Sequence, residues 1–517
     1  MIFNSYTKRD TQILKGFAIL CIVFHNYFHW LSPSPGENEF IFSRFYVDNF
    51  FKLLCEQPSE CINILFSYLG HYGVQIFIFI SGFGLTASML KKTRKWENFI
   101  VNRLKKIYPL LLIGILVCFI GRILMGEKGF SSFEWKEIGY KLLFINTLIP
   151  GEGTSINGPW WFFALIFQLY ILFPLLFKLV RKYDIKAFAI VCLVAYCAIF
   201  LFRGIFTLYK GEIIMMSALG HLPEFTLGIL LAMPKERKIN IMFLIAAIVL
   251  FICGNFCQWI YPFTFLSITV ICVFAYQWLQ KLPTRKIGNL FSYFGQLSMA
   301  LFVIHAIFRP PFLKLYETAG GHLLSALFFF LTVWAIAIPV KTLYQWIVSK
   351  LDKIVIKENK LTHLFGSITQ ILIAIGAIYV ISYYIHLNVK DFRNDMLENV
   401  EITQTGNIQA DNMFYNILTT TLQSNHTAMQ LSGTFVLTDT SGNENMPCLV
   451  LDIAHVTWTK IPIEKKTDEN GNIICSFSFD YYRPFPNHIK GKKLKLYFWN
   501  PNKGLISFKD MNVTIKN

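Results

Sequence analysis

Runs of about twenty apolar residues recur along the first three quarters of the chain, and nothing constrains the fold more. They lie at 12–30, 72–90, 106–125, 160–180, 187–204, 216–233, 239–257, 259–279, 291–312, 322–348 and 366–386. A hydrocarbon layer of about 30 Å takes roughly 20 apolar residues to cross as a helix. Inside that layer backbone groups must bond within the segment itself, which selects helices here. Of the 517 residues 54% are hydrophobic and only 15% charged, too little charge to cover a soluble protein of this size. The expected architecture is an all-α polytopic membrane bundle of about 11 transmembrane helices. The first apolar run has no small-residue cleavage site, so no cleavable signal peptide is expected.

A net charge of +17 would suit nucleic acid, but the basic residues flank the apolar runs instead. "YTKRD", "KKTRKWENFIVNRLKK" (91–106), "RKYDIK" (181–186), "PKERK" (234–238), "QKLPTRK" (280–286) and "SKLDKIVIKENK" (349–360) fall on one side of the predicted membrane. The excess of Lys and Arg marks that side as cytoplasmic. The N-terminus is then cytoplasmic, the C-terminus is outside, and no nucleic-acid partner is expected.

After Tyr384 the pattern changes. Residues 388–517 hold no run long enough to span and alternate in the manner of strands, as in "CLVLDIAHVTW" (448–458), "IICSFSFDYY" (473–482) and "KLKLYFWN" (493–500). Turn signals such as "DENGN" (468–472) separate them. Two domains are expected: a membrane domain, 1–387, and an extracytoplasmic β-sandwich, 388–517. Within the latter, "ADNMFYNILTTTLQ" fits strand or helix.

The first span, "KGFAILCIVFHNYFHW" (15–30), carries His25 and His29 one turn apart. At about 1.5 Å per residue, His25 lies ~18 Å beyond Ile13, near the middle of the layer. A titratable group there should face the protein interior. The 11 cysteines form no C-x-x-C pair, and no metal site is expected. Cys55/Cys61 and Cys448/Cys475 lie in segments placed outside the cytoplasm, where disulfides form.

Six segments in order resemble the integral membrane acyltransferases called acyltransferase family three. "LKGFAILCIVFH" (14–25) looks like the family's opening span and "GVQIFIFISGFGL" (73–85) its second. "FIVNRLKKIYP" (99–109) is similar to its basic signature, with Arg103 and Lys106 at the two basic places. "WFFALIFQLYILFPLL" (161–176), "LPEFTLGILLA" (222–232) and "LSMALFVIHAIF" (297–308) resemble later spans, so the likeness covers about 10–345. The resemblance implies O-acyl transfer from a cytoplasmic donor, usually acetyl-CoA, to a hydroxyl of an envelope polysaccharide or lipid-linked glycan. It also implies a bacterial inner membrane. His25 takes the catalytic position; Arg103, Lys106 and Lys15 the donor-binding positions; Trp161, Glu224 and His305 positions that line the substrate. Glu224, after Pro223, would begin the sixth span at the outer entrance.

The chemistry agrees, because sugar hydroxyls are poor nucleophiles near neutral pH and imidazole is the usual general base. One departure falls at Lys15. The family's commonest pattern places an arginine before the histidine with ten residues between, almost in line on the helix; Lys15, with nine between, is rotated about 80° from that face and lacks the guanidinium fork. Two other readings remain for the chain: a glycan or lipid transporter, and an inactive glycan-sensing membrane protein. The ending "LKLYFWNPNKGLISFKDMNVTIKN" is similar to the last strands of jelly-roll domains that bind carbohydrate, with Trp499, Tyr497 and Tyr482 as stacking candidates.

Overall fold

The computed structural model describes residues 3–149 except 4, 41, 127 and 128; 152–205; 212–238; 240–280; 285–318; 321–357; 369, 372–376 and 378–380. In the C-terminal region it describes 402–409, 413–421, 428–439, 447–453, 457–468, 473–482, 493–500 and 506–516. The chain divides into two compact units, Met1–Ala377 and Ile378–Asn517.

In the first unit the apolar runs fold as helices: α1 (Lys8–Phe28), α2 (Arg44–Glu56), α3 (Cys61–Leu69), α4 (Gly73–Lys91), α5 (Trp96–Leu124), α6 (Ser132–Leu142) and α7 (Trp161–Tyr183). There follow α8 (Ile185–Ile205), α9 (Glu212–Met215), α10 (Ala218–Ala232), α11 (Ile241–Phe256), α12 (Thr264–Leu279), α13 (Arg285–Ile304), α14 (Arg309–Thr318) and α15 (His322–Lys357). Thr7 and Asp10 start α1 with a reciprocal cap: the Thr7 hydroxyl accepts from the Asp10 N–H, and the Asp10 carboxylate accepts from the Thr7 N–H at 2.7 Å. Two otherwise orphaned donors are thereby satisfied.

Among the described residues 7 helical segments are long and apolar enough to cross a membrane, which makes this a multi-pass membrane protein. The expected count of 11 is not reached by that measure. Helix α1 carries Lys8, Arg9, Asp10 and Lys15 in its first half, the apolar parts of α8 and α11 are shorter, and the run at 366–386 lies largely outside the described residues. Helix α1 sits at the centre of the packing, against α13, α4 and α3. It crosses α13 closely, because a Cβ on Gly16 would meet the Phe291 carbonyl and one on Gly295 the Gln12 carbonyl.

The second unit contains nine described strands: β1 (Ile402–Ile408), β2 (Phe414–Thr421), β3 (Ala428–Asp439), β4 (Cys448–Ile453), β5 (Thr457–Ile461), β6 (Ile463–Thr467), β7 (Ile473–Tyr482), β8 (Lys493–Trp499) and β9 (Ile506–Lys516). They form two sheets, in the orders β1-β9-β3-β7-β6 and β2-β8-β4-β5, and all the pairs are antiparallel. The ambiguous segment around 414–421 is a strand. Period-two alternation decides what faces inward: in β8, Leu494, Leu496 and Phe498 are buried while Lys493 and Lys495 are exposed. Phe498 meets Phe435 and Phe508 of the other sheet, at ring-centre distances of 5.7 and 5.6 Å, so one core serves both sheets. Residues 388–401 and the histidine of "DIAH" (452–455) lie outside the described residues. All 11 cysteines are free thiols.

Candidate active site

His25 is 4% exposed and points into a polar cluster within the first unit. Its Nδ1 lies 3.1 Å from the Phe66 carbonyl, and its Nε2 lies 2.7 Å from Glu37 Oε2. A carbonyl oxygen can only accept, so Nδ1 carries a proton, and the 2.7 Å contact between Nε2 and the Glu37 carboxylate needs a second proton between them. His29 Nδ1 stands 3.5 Å from the same Glu37 oxygen. The His71 ring centre is 5.5 Å from that of His25.

Three separate pieces of chain build this arrangement. Helix α1 supplies His25. The short helix α3 and the turn Gly70–Tyr72 press against α1, which requires glycine at 70: a Cβ there would stand 2.6 Å from the His25 Cβ and 2.8 Å from the Cys21 carbonyl. Gly70→Ala should therefore cost about 1–3 kcal/mol of stability through overpacking, seen as a lower Tm of the solubilised protein.

The third piece, the loop after α1, brings Glu37. It has no regular structure, yet it is fastened throughout. Asn63 Nδ2 donates to the Pro33 carbonyl at 3.1 Å and Asn49 Nδ2 to that of Pro35 at 3.2 Å. Asn38 Oδ1 accepts from the Ser43 N–H at 2.8 Å, and the Tyr261 hydroxyl lies 2.7 Å from the carbonyls of both Asn38 and Glu39.

The electrostatics of the loop follow. Burial opposes ionisation of Glu37, but the imidazoles of His29 and His25 outweigh it and hold the carboxyl well below its ordinary range. Burial and the neighbouring Glu37 charge push Glu39 up to about 8. Above the ordinary value of 4.5 the unfolded chain gives up the Glu39 proton while the folded one keeps it, so stability falls as pH rises across that window. Between about pH 5 and pH 8 the Tm should decline, and Glu39→Gln should flatten the slope.

The other expected positions are dispersed. Trp161 is 4% exposed and meets Phe40 of the same loop edge-on at 5.1 Å. Glu224 does not begin a span. Pro223 lies inside α10 rather than at its start, and Glu224 is fully buried with Oε1 3.1 Å from His221 Nδ1. The His221 ring stacks on Phe265 at 5.2 Å and on Trp161 at 6.0 Å. His305 follows α13, fully buried, with Nδ1 directed at the Phe302 carbonyl at 2.9 Å; this is a structural bond.

Arg103 lies on α5 with its guanidinium over Phe99 at 5.6 Å and Tyr170 at 5.9 Å. Lys106, one turn on, is exposed. Lys15, partly buried on α1, sits about 15 Å along the helix from His25. A cavity of about 700 Å³ opens near that end of α1, lined by Arg9, Phe17, Tyr276, Arg285 and Phe291 among others. Sequence reasoning missed Glu37, His71 and His221. The signal was available for His71, which lies two residues before "GVQIFIFISGFGL".

A multi-pass helical domain that buries a histidine of its first helix against a carboxylate from the following loop defines the class as an integral membrane protein with a polar site inside its helical bundle. Comparison with known proteins narrows it. The model of acyltransferase family three, described as an acyltransferase domain, matches residues 10–344, and the chain belongs to that family. It is 32% identical over 125 residues to "Acyltransferase MdmB" of Streptomyces mycarofaciens, a match covering 23% of this chain and 31% of that protein. The chain thus spans about a third of the length of the curated relative it matches. No solved structure matches it significantly.

Proposed function

We propose that the protein is a membrane-embedded O-acyltransferase, moving an acetyl group from cytoplasmic acetyl-CoA to a hydroxyl of an envelope polysaccharide or lipid-linked glycan. The observation that carries this reading is the buried His25, with Nδ1 tied to the Phe66 carbonyl and Nε2 against Glu37, in a chain of this family. In the proposed step the ring acts in its neutral form: the proton between Nε2 and Glu37 is released, the acceptor hydroxyl takes the place of that contact, and Nε2 takes the hydroxyl proton as its oxygen attacks the thioester carbonyl. Glu37 stabilises the imidazolium that forms. The tetrahedral intermediate then collapses, the C–S bond breaks, and the leaving thiolate recovers the proton from Nε2. Binding acceptor and donor in one site lowers the barrier further by removing the cost of encounter.

Arg103 and Lys106 are proposed to hold the donor's phosphates, with Arg103 offering the bidentate fork. Lys15 is a weaker donor-side contact, given its rotation on α1. Trp161 fits the acceptor side through its contact with the Glu37 loop, and Glu224 acts through His221 rather than on substrate. The second unit fits a jelly-roll-like β-sandwich outside the cytoplasm, with Tyr497 and Trp499 as glycan-stacking residues. A bacterial inner membrane with the N-terminus inside completes the reading.

The test is incubation of membranes containing the protein with radiolabelled acetyl-CoA and surface glycan. Label should enter the glycan, and Arg103→Ala should raise the KM for acetyl-CoA about tenfold or more with a smaller change in kcat. A transporter or a sensing protein would consume no acetyl-CoA, and unlabelled glycan would reject the proposal.

A further inference from the structure

His71 is 1% exposed, and beyond the Tyr68 backbone its ring nitrogens have no hydrogen-bond partner among the described residues. Buried polar groups are rarely left this way, because each has given up its water and received nothing in return. The ring therefore retains ligand capacity that the neighbouring side chains do not use. One ligand atom each from His25, Glu37 and His71 lie within 4.8 Å of one another. With Nδ1 of His25 on the Phe66 carbonyl, the atom it contributes is Nε2.

The chemistry of the donors selects the ion. Two imidazoles and one carboxylate suit a first-row transition metal rather than magnesium or calcium, which take oxygen ligands. Two histidines and a glutamate, with one position open, form a known zinc donor set. Zinc bonds of about 2.0–2.2 Å place tetrahedral ligand atoms roughly 3.5 Å apart, so the widest pair would close by about 1 Å while His25 Nε2 and Glu37, now 2.7 Å apart, would separate by slightly less. The neighbouring cation Arg309 is engaged elsewhere: its guanidinium lies over Trp30 at 4.3 Å and donates to the Asn26 carbonyl at 3.1 Å.

We propose that His25, Glu37 and His71 form a Zn²⁺ site, and that zinc bound there blocks acyl transfer by occupying His25 Nε2. The site rests on geometry alone; the block rests on the proposed function. The cysteine spacing gave no hint of such a site, because its ligands are scattered along the chain and meet only in the fold.

The test uses the full chain in detergent without an oligohistidine tag. It is equilibrated with micromolar Zn²⁺, desalted and analysed for bound metal. About one zinc per chain is expected, removable by EDTA, with no retention of Mg²⁺ under the same conditions. His71→Ala and Glu37→Gln should each weaken binding more than about 100-fold, beyond the roughly 10–100-fold lost when only a ligand's supporting group is removed. His221→Ala, in the separate buried cluster, should retain wild-type binding, and a matching Tm certifies each variant as folded. Folded wild-type protein that retains no zinc would overturn the site and indicate a buried water in its place. Wild-type affinity in His71→Ala would overturn it equally.

In the activity arm, CoA release should fall with a midpoint matching zinc binding, and His71→Ala should shift that midpoint by the same factor as the binding. Zinc bound with acyl transfer undiminished would overturn the block and, with it, the role of His25. Acyl transfer through His25 with no zinc bound would overturn this proposal alone.

Discussion

Replacing His25 with alanine is expected to reduce acyl transfer by about 10²–10⁴-fold, the range for loss of a positioned general base. The effect should fall on kcat and on kcat/KM alike, because the proton moves only in the transition state. His25→Ala removes one buried ring from a cluster held by many other contacts, so protein level in the membrane should be retained. The measurement is label transfer from acetyl-CoA at matched protein amounts. Unchanged transfer would remove His25 from the mechanism.

Glu37→Gln should lower kcat by about 10–100-fold with little change in KM. A carboxylate beside an imidazole stabilises the imidazolium formed when the base accepts a proton, and an amide of the same shape cannot. In serine-protease triads the carboxylate bonds the ring nitrogen opposite the base, and its Asp→Asn change costs about 10⁴-fold because the wrong histidine tautomer is then favoured. Here the tautomer is fixed independently by the Phe66 carbonyl, so only the electrostatic part is lost. Glu37→Asp should recover part of the rate. A Glu37→Gln enzyme with full kcat, or with only KM altered, would show that the contact is structural.

Much of the fold was legible because it rests on local pattern. Apolar runs of sufficient length gave the helices, and alternation in 473–482 and 493–500 gave strands β7 and β8. The count of spans was less secure, since α1 mixes a charged first half with an apolar second half and α8 and α11 are short. Pro223 misled because a proline commonly starts a helix, whereas inside a membrane bundle neighbouring groups let α10 continue through it.

His25 could be found from its depth in an apolar run. Glu37 could not: it lies in "SPSPGENEF", a stretch without periodicity. Only the bonds from Asn38, Asn49, Asn63 and Tyr261 turn that stretch into a rigid support. Pairings that span irregular loops are set by tertiary structure, and a single sequence carries no periodic trace of them.

The tether between His25 and the Phe66 backbone has a consequence for traffic through the enzyme. A ring pinned by one nitrogen cannot swivel to greet one reactant and then the other. In the proposed reaction thioester and sugar must therefore converge on a single imidazole edge, the one bordered by Glu37. The largest acyl chain accepted would then be set by the clearance between that edge and the 31–43 loop, so trimming Phe40 or Glu39 should broaden chain-length preference, whereas changes at the distant cofactor grip should leave it alone.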